Sequence, residues 1–361
     1  MVPAPGDRIV VGMSGGVDSS LAAALLKDQG YQVIGVMLRL WSDPGTLNRC
    51  CAPDAVLEAR QVAGQLGIPF YVIDAKDAFY QSVVEPFINA YQEGETPNPC
   101  LRCNRLIRWN FLLTRARALG AEFIATGHYA KLRRLPTGEV QLLRSQDRKK
   151  DQSYFLHVLT QDDLQRTVFP LADLSKAQVR QLAAEKNLSA AERPDSQDLC
   201  FVGQGGDYRE FLRRADPGML VSGPIVNHEG EQLGEHNGLA NYTIGQRKGL
   251  GISGKEPYYV ARKDPVNNVL FVGYKDQLGK SHFTTHQVNW ISGNAPDEVF
   301  RAQIKTRYQS TAVPGSVTPQ EDLSSRVQLD EILPDITPGQ AAVFYQDEVC
   351  LGGGIIQTEG L

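Results

Sequence analysis

The chain is short of cysteine for its length. Six in 361 residues, at positions 50, 51, 100, 103, 200 and 350, are too few and too unevenly spread to staple a secreted scaffold, so a reducing cytoplasm is expected. Long apolar runs are missing as well. No uninterrupted stretch approaches the roughly 18 residues that a membrane-spanning helix needs, and no membrane partner is expected. Met1 to Asp7 has neither a basic leader nor an apolar core, so no secretory signal is expected. Excess positive charge is lacking too: the formal net charge is −4, which excludes a uniformly basic nucleic-acid coat. Averages hide local charge, however. Between Asn98 and Lys150 twelve Lys/Arg stand against three Asp/Glu, and a basic face is expected there.

With 42% hydrophobic residues the chain can bury a substantial core, and its length suggests two or three domains. Short apolar runs alternate with helical patterns in the N-terminal half. Arg8 to Met13, Gln32 to Leu40, Pro69 to Ile73 and Glu122 to Thr126 read as strands. Ser19 to Gln29, Ala55 to Leu66 (capped by Asp54) and Arg105 to Leu119 read as helices. That alternation predicts an α/β, Rossmann-like parallel sheet with its ligand at the carboxyl ends of the strands. Ala130 to Arg144, centred on Pro136-Thr137-Gly138, reads as an inserted hairpin. After about Asp207 glycine, proline and short β-patterned runs dominate. We expect an ATP-binding α/β domain over 1–207, a small β-rich domain over 208–275 and a C-terminal β-barrel over 276–361.

Met13-Ser14-Gly15-Gly16-Val17-Asp18-Ser19-Ser20 follows an apolar strand and opens a helix. In that context backbone N–H groups and the positive helix end can hold a polyphosphate. The glycines admit close anion approach, the serines offer hydroxyls, and Asp18 either positions Mg²⁺ or caps the helix. The loop has no Gly-Lys-Ser/Thr ending, so β/γ cleavage is not indicated. Ser-Gly-Gly-Val-Asp-Ser resembles the pyrophosphate loop of ATP pyrophosphatases, which transfer AMP to an acceptor oxygen. Asparagine, GMP, argininosuccinate and NAD synthetases resemble it too.

Two cysteine motifs discriminate among these. Glu95-Thr96-Pro97-Asn98-Pro99-Cys100-Leu101-Arg102-Cys103-Asn104 places two thiols just before a helix, beside Arg102 and Arg105, where the thiolate is favoured. Asp195-Ser196-Gln197-Asp198-Leu199-Cys200-Phe201 adds a third, distant in sequence. Together with Gly127-His128-Tyr129-Ala130, Lys150-Asp151-Gln152-Ser153-Tyr154-Phe155-Leu156, Tyr242-Thr243-Ile244-Gly245-Gln246-Arg247-Lys248-Gly249-Leu250, Arg307-Tyr308 and Gly352-Gly353-Gly354, they resemble the bacterial tRNA 2-thiouridylases across nearly the whole chain.

The resemblance implies ATP-dependent 2-thiolation of the wobble uridine (U34) of tRNA. Gly12, Met13, Ser14, Gly15, Gly16, Val17, Asp18 and Ser19, with Leu38 and Gly127, would bind ATP together with Mg²⁺. Cys200 would carry a persulfide and Cys103 would be its partner, the two forming a transient disulfide. Asn98, Pro99 and Cys100 would lie at the target base, and His128, Lys150, Asp151, Gln152, Arg307, Tyr308 and Gln340 would contact the anticodon stem-loop. A cysteine desulfurase or sulfur relay protein would supply the sulfur. Cys100 departs from the pattern, since many members have Asp there, and this puts a carboxylate general base at that position in doubt. It also creates the trio Cys100, Cys103 and Cys200, a ligand set for an iron–sulfur cluster. Cys50-Cys51 matches a double cysteine of some relatives. Cys350, in a β-patterned run, is read as core. Two rival readings remain: an amide-forming synthetase, which would not need RNA, and a non-catalytic RNA-binding protein, which would not turn over ATP.

Overall fold

A computed structural model describes residues 2–43, 53–194, 199–202 and 207–357. Cys50-Cys51 and Asp195 to Asp198 lie outside the described residues. The first sheet is built from β1 (Arg8–Gly12), β2 (Gln32–Arg39), β3 (Phe70–Asp74), β4 (Phe123–Ala125) and, after a hairpin of β5 (Lys131–Arg134) and β6 (Val140–Leu143), β7 (Thr167–Val168). Its order is β3-β2-β1-β4-β7, all parallel. β1 has no exposed apolar face: Ile9, Val10 and Val11 are fully buried, as a central strand covered on both sides requires. The chain leaves β1 for β2 on one side and pairs with β4 on the other. The carboxyl ends of β1 and β4 therefore flank the switch point where ligands of such sheets bind.

The helices differ from expectation at their starts. α1 spans Val17–Asp28. α2 spans Pro53–Leu66, so Asp54 sits in its first turn instead of capping it. Residues 76–92 form a helix, α3, that was not anticipated, with a π-helical stretch at Tyr80–Val84. The helix expected from Arg105 begins six residues earlier: α4 covers 99–118, with Asn98 as N-cap, Pro99 at its first position and a wide π-helical stretch at Cys103–Phe111. Proline lacks only an N–H that a first turn leaves unused, so Asn98-Pro99 is a start signal.

The middle sheet takes β8 (Gly223–Val226), β9 (Gln232–His236), β10 (Tyr259–Asp264) and β11 (Val269–Gly273) in the order β10-β11-β8-β9. The C-terminal strands are β12 (Lys280–Trp290), β13 (Phe300–Lys305), β14 (Val313–Pro319), β15 (Ser325–Leu333), β16 (Ala341–Gln346) and β17 (Val349–Ile356). They run in the order β12-β15-β14-β13-β16-β17, and pairing of β12 with β17 closes them into the expected barrel. The β5–β6 hairpin is more than a local insertion. β6 pairs with β17, Leu143 opposite Val349 and Leu142 opposite Cys350, and one apolar cluster runs from Val10 and Leu112 through Tyr154 to Tyr345 and Cys350. The first and last domains thus share a core.

Candidate functional site

A cleft of about 790 Å³ opens at the carboxyl ends of β1 and β4, and its walls come from widely separated parts of the chain, from Gly12 to Gln309. The first wall is the loop after β1. Ser19 Oγ accepts from Ser14 N (3.2 Å) and donates to the Gly16 carbonyl (3.1 Å), and Ser20 Oγ donates to the same carbonyl (2.9 Å). These bonds pull the loop into a tight turn ahead of α1. Gly15 has φ +74, and a Cβ there would meet the Ala55 carbonyl oxygen at 2.6 Å. Gly127, after β4, lies against this turn so closely that a Cβ would come within 2.7 Å of Ser19 N and of the Asp18 carbonyl carbon. Met13 is buried and donates its N–H to the Val36 carbonyl (2.8 Å), while Leu38 on β2 packs against two apolar clusters. Met13 thereby ties the start of the loop to β2.

Asp18 neither caps α1 nor stands alone. Tyr129 Oη donates to it at 2.7 Å, and Lys176 Nζ sits 2.7 Å from both of its oxygens. Arg193 Nη1 donates to the Gly15 carbonyl (3.1 Å). Sequence reasoning missed Lys176 and Arg193. One signal was available for the lysine: it is the first residue of the helix Lys176–Glu185, behind the capping box Ser175–Gln178. A cation there opposes the helix dipole, so a compensating anion was to be sought. Among the described residues the cleft is lined by five cations, Arg108, Lys149, Lys150, Lys176 and Arg193, against the single carboxylate of Asp18. Such a lining suits a polyanion. A hard cation carried with nucleotide phosphates needs only one or two carboxylates, and Asp18 with the Ser14 and Ser19 hydroxyls fits that demand.

The opposite wall carries sulfur. Asn98 Oδ1 accepts from Cys100 N (3.2 Å) at the start of α4, and Cys100 and Cys103, three residues apart, share one helix face. Pro99, Cys100, Cys103 and Asn104 line the cleft, as do Leu199, Cys200 and Phe201. Cys100 is exposed, Cys200 partly buried and Cys103 buried, packed with Phe201 and Val202. All three are thiols. Arg102 turns away, its Nε donating to the Ser82 carbonyl (2.7 Å). The trio does not draw together into a metal-sized ligand group; among the described residues no cluster of three or more His, Cys, Asp or Glu does. The residues present do not fit an iron–sulfur cluster in this arrangement.

His128, Gln152, Lys150 and Tyr308 line the cleft between these walls. His128 is buried, its Nδ1 2.8 Å from Thr126 Oγ1, and burial together with the nearby Arg108 lowers its pKa to about 3, so the ring is neutral. Gln152 is bonded twice to Tyr129, through its side chain (2.9 Å) and its N–H (2.8 Å). Tyr308 reaches in from the barrel and stacks obliquely on Phe155, with ring centroids 4.3 Å apart. Three residues expected at RNA are bonded by their side chains to other parts of the protein. The Asp151 carboxylate is buried and accepts from Ser145 N (2.9 Å) and Ser153 Oγ (2.7 Å). Arg307 Nη2 donates to the Ile244 carbonyl (2.9 Å) and to Thr337 Oγ1, and Nη1 pairs with Asp335 (3.3 Å). Gln340 Nε2 donates to the Thr96 carbonyl (2.7 Å). Cys350 is buried in the core shared by the first and last domains.

Family profiles match the chain in three blocks: a tRNA methyl transferase HUP domain over residues 7–204, a tRNA methyl transferase PRC-barrel domain over 209–274 and an aminomethyltransferase β-barrel domain over 280–356. The tRNA-specific 2-thiouridylase MnmA of Chloroflexus aggregans is 48% identical over 97% of this chain and 98% of its own length. The enzyme of the same name from Roseiflexus castenholzii is 46% identical over 98% of this chain and its whole length. That of Magnetococcus marinus is 45% identical over 97% of this chain and 98% of its own.

Proposed function

The chain belongs to the tRNA-specific 2-thiouridylase family, and from that membership we propose how its cleft thiolates tRNA: the wobble uridine, U34, is adenylated at its C2 oxygen and receives sulfur carried on Cys200. A carbonyl oxygen is a poor leaving group, and linking it to AMP makes it a good one. The uridine oxygen attacks the α-phosphorus of ATP, and pyrophosphate leaves. Backbone donors of the loop over Ser14 to Val17, with Lys176 and Arg193, balance the charge on the departing pyrophosphate. Mg²⁺ bound with the nucleotide would be held by Asp18 and the Ser14 and Ser19 hydroxyls, and would neutralise phosphate charge. Asp18 would then exchange its lysine partner for that cation, and the Lys176 ammonium would turn to the phosphates.

The terminal sulfur of a Cys200 persulfide attacks C2, and AMP departs with the original oxygen. The Cys103 thiolate attacks the sulfur still bonded to the Cys200 side chain. That step breaks the S–S bond, frees the thiouridine and leaves a Cys103–Cys200 disulfide for an external thiol to reduce. In the alternative order Cys103 first frees hydrosulfide, which attacks C2 itself. Cys200, only partly buried, is open to loading by a persulfide donor such as a cysteine desulfurase or a relay protein. The base must leave its stack to enter the cleft. Lys149, Lys150 and Arg108 meet its phosphates, so tRNA binding should weaken steeply with salt.

One observation carries the reading: Cys100, Cys103 and Cys200 line the same cleft as the phosphate loop. The test is Cys200→Ser. It should lose thiolation by at least about a thousandfold, as loss of a nucleophile does, while tRNA-dependent release of AMP and pyrophosphate continues. Full thiolation by this variant would refute the assignment of the sulfur carrier. Pyrophosphate release by the native enzyme without tRNA would favour a small-molecule synthetase instead.

A further inference from the structure

Segment 93–98 joins α3 to α4, the helix that carries Cys100 and Cys103, and its second half is held by the two β domains. Thr96 N donates to the Pro338 carbonyl (3.0 Å), and Gln340 Nε2 donates to the Thr96 carbonyl (2.7 Å). From the middle domain, Lys263 Nζ spans the Glu95 carbonyl (3.4 Å) and the Tyr242 carbonyl (3.2 Å). This lysine is only 9% exposed, a costly place for an ammonium unless its bonds are needed. The backbones pack without room to spare: at Gly339, φ +86, a Cβ would meet the Thr96 carbonyl carbon at 3.0 Å. Arg307 in turn ties the turn at Asp335 and Thr337 to the middle domain at Ile244.

The path from these anchors to the thiols is stiff. The run is Thr96-Pro97-Asn98-Pro99-Cys100. Two prolines fix their own φ near −65° and restrict Thr96 and Asn98 to extended backbone, and Asn98 is indeed extended, with φ −108 and ψ 95. A shift at Thr96 therefore reaches the first turn of α4 with little loss. The phosphate loop is held from within its own domain: it rests on β1, α1 and the Gly127 turn, and Arg193 donates to the Gly15 carbonyl.

We propose that Lys263 and Gln340 are positioning residues: by gripping the carbonyls of Glu95 and Thr96 they let both β domains set where Cys100 and Cys103 stand in the cleft. This rests on the thiouridylase reading for its catalytic consequence, but not for its structural one. Lys263→Met and Gln340→Met, each in the full chain, remove the donors at similar side-chain length. Two measurements decide the matter.

The first is the rate at which iodoacetamide alkylates Cys103, followed by mass spectrometry without ATP or tRNA, with buried Cys350 as internal control and thermal melting to show that the fold persists. Release of the strap should speed Cys103 alkylation severalfold and leave Cys350 slow. Unchanged Cys103 rates in both variants overturn the proposal. The second compares thiolation with tRNA-dependent pyrophosphate release. A misplaced thiol costs at least about tenfold in thiolation kcat, and pyrophosphate release should fall far less. Gln340→Lys, which keeps a donor of similar reach, should recover most of the loss. Equal loss of both activities with a raised tRNA KM would make Gln340 an RNA contact and overturn its positioning role. If the native enzyme released no tRNA-dependent pyrophosphate, the thiouridylase reading would fall, and the alkylation rates would still decide the strap.

Discussion

The two walls of the cleft are built on opposite plans. The nucleotide wall is local: β1, the glycine turn and α1 follow one another without interruption, and Ser14, Gly16, Ser19 and Ser20 bond mostly among themselves. Its long-range partners, Gly127, Tyr129, Lys176 and Arg193, come from the same domain. The sulfur wall is assembled at a distance. Cys100 and Cys103 start a helix whose approach is gripped by residues 263 and 338–340, and Cys200 comes from a further segment. Binding a triphosphate needs backbone donors in a fixed turn, which neighbours in sequence can supply. Bringing Cys103 and Cys200 together, as the proposed reaction requires, needs two separate segments of the first domain, and the approach to one of them is held by both β domains.

The largest test of this contrast is Gly127→Ala. Its Cβ would enter within 2.7 Å of Ser19 N, a backbone atom that cannot swing aside. ATP affinity should fall by at least about a hundredfold, since the donors would be displaced from the phosphates, and isothermal titration with ATP measures it. Cys103 alkylation should stay near the native rate. If both change together, the walls are not independent and the comparison fails.

Much of the nucleotide wall was legible because its signals are contiguous: an apolar run, a glycine pair and a helix pattern in one stretch. Expectation and structure differ there by a residue or two at the strand and helix ends. The sulfur wall was legible only as motifs. Nothing near Glu95 or Thr96 announces that a lysine in β10 or a glutamine before β16 holds them. For the same reason the 130–144 hairpin read as an insertion, although β6 completes its pairing on a strand two hundred residues later. Asp151 and Arg307 show the complementary limit: each lies in a distinctive motif, but a motif does not say which partners within the fold its side chain already holds.

Acid probes whether the walls share one fate. His128 lines the cleft between the walls, and His157 lies at the barrel seam against Gly353. Burial, aided by Arg108, lowers the first to about 3; burial, aided by Arg105, lowers the second to about 4. Both are neutral when folded, whereas the unfolded chain protonates them near 6.5. Their contribution is complete above that value and is lost as pH falls through the window toward 3 to 4. At pH 5 each should have cost about 2 kcal/mol relative to neutral pH. Urea titrations from pH 7.5 to 5 measure the slope, and His128→Phe or His157→Phe should each remove about one proton from it. Because one core joins the first and last domains, the loss should appear as a single transition by tryptophan fluorescence and by thiol exposure. Two separated transitions would show that the sulfur wall melts by itself.

The smallest effect separates two meanings of Asn98. The resemblance puts it at the target base, and the structure uses its Oδ1 to cap α4 through Cys100 N. Asn98→Ala should lower stability by about 1 kcal/mol, the ordinary cost of an N-cap, and Asn98→Ser should restore that stability because a hydroxyl caps as well. Thiolation then decides. A capping role predicts that serine recovers activity along with stability, since the thiols regain their place. A base contact predicts a stable serine variant that still thiolates poorly, with alkylation of Cys103 at the native rate. The sulfur wall would in that case read the base as well as hold the thiols, a duty the nucleotide wall does not share.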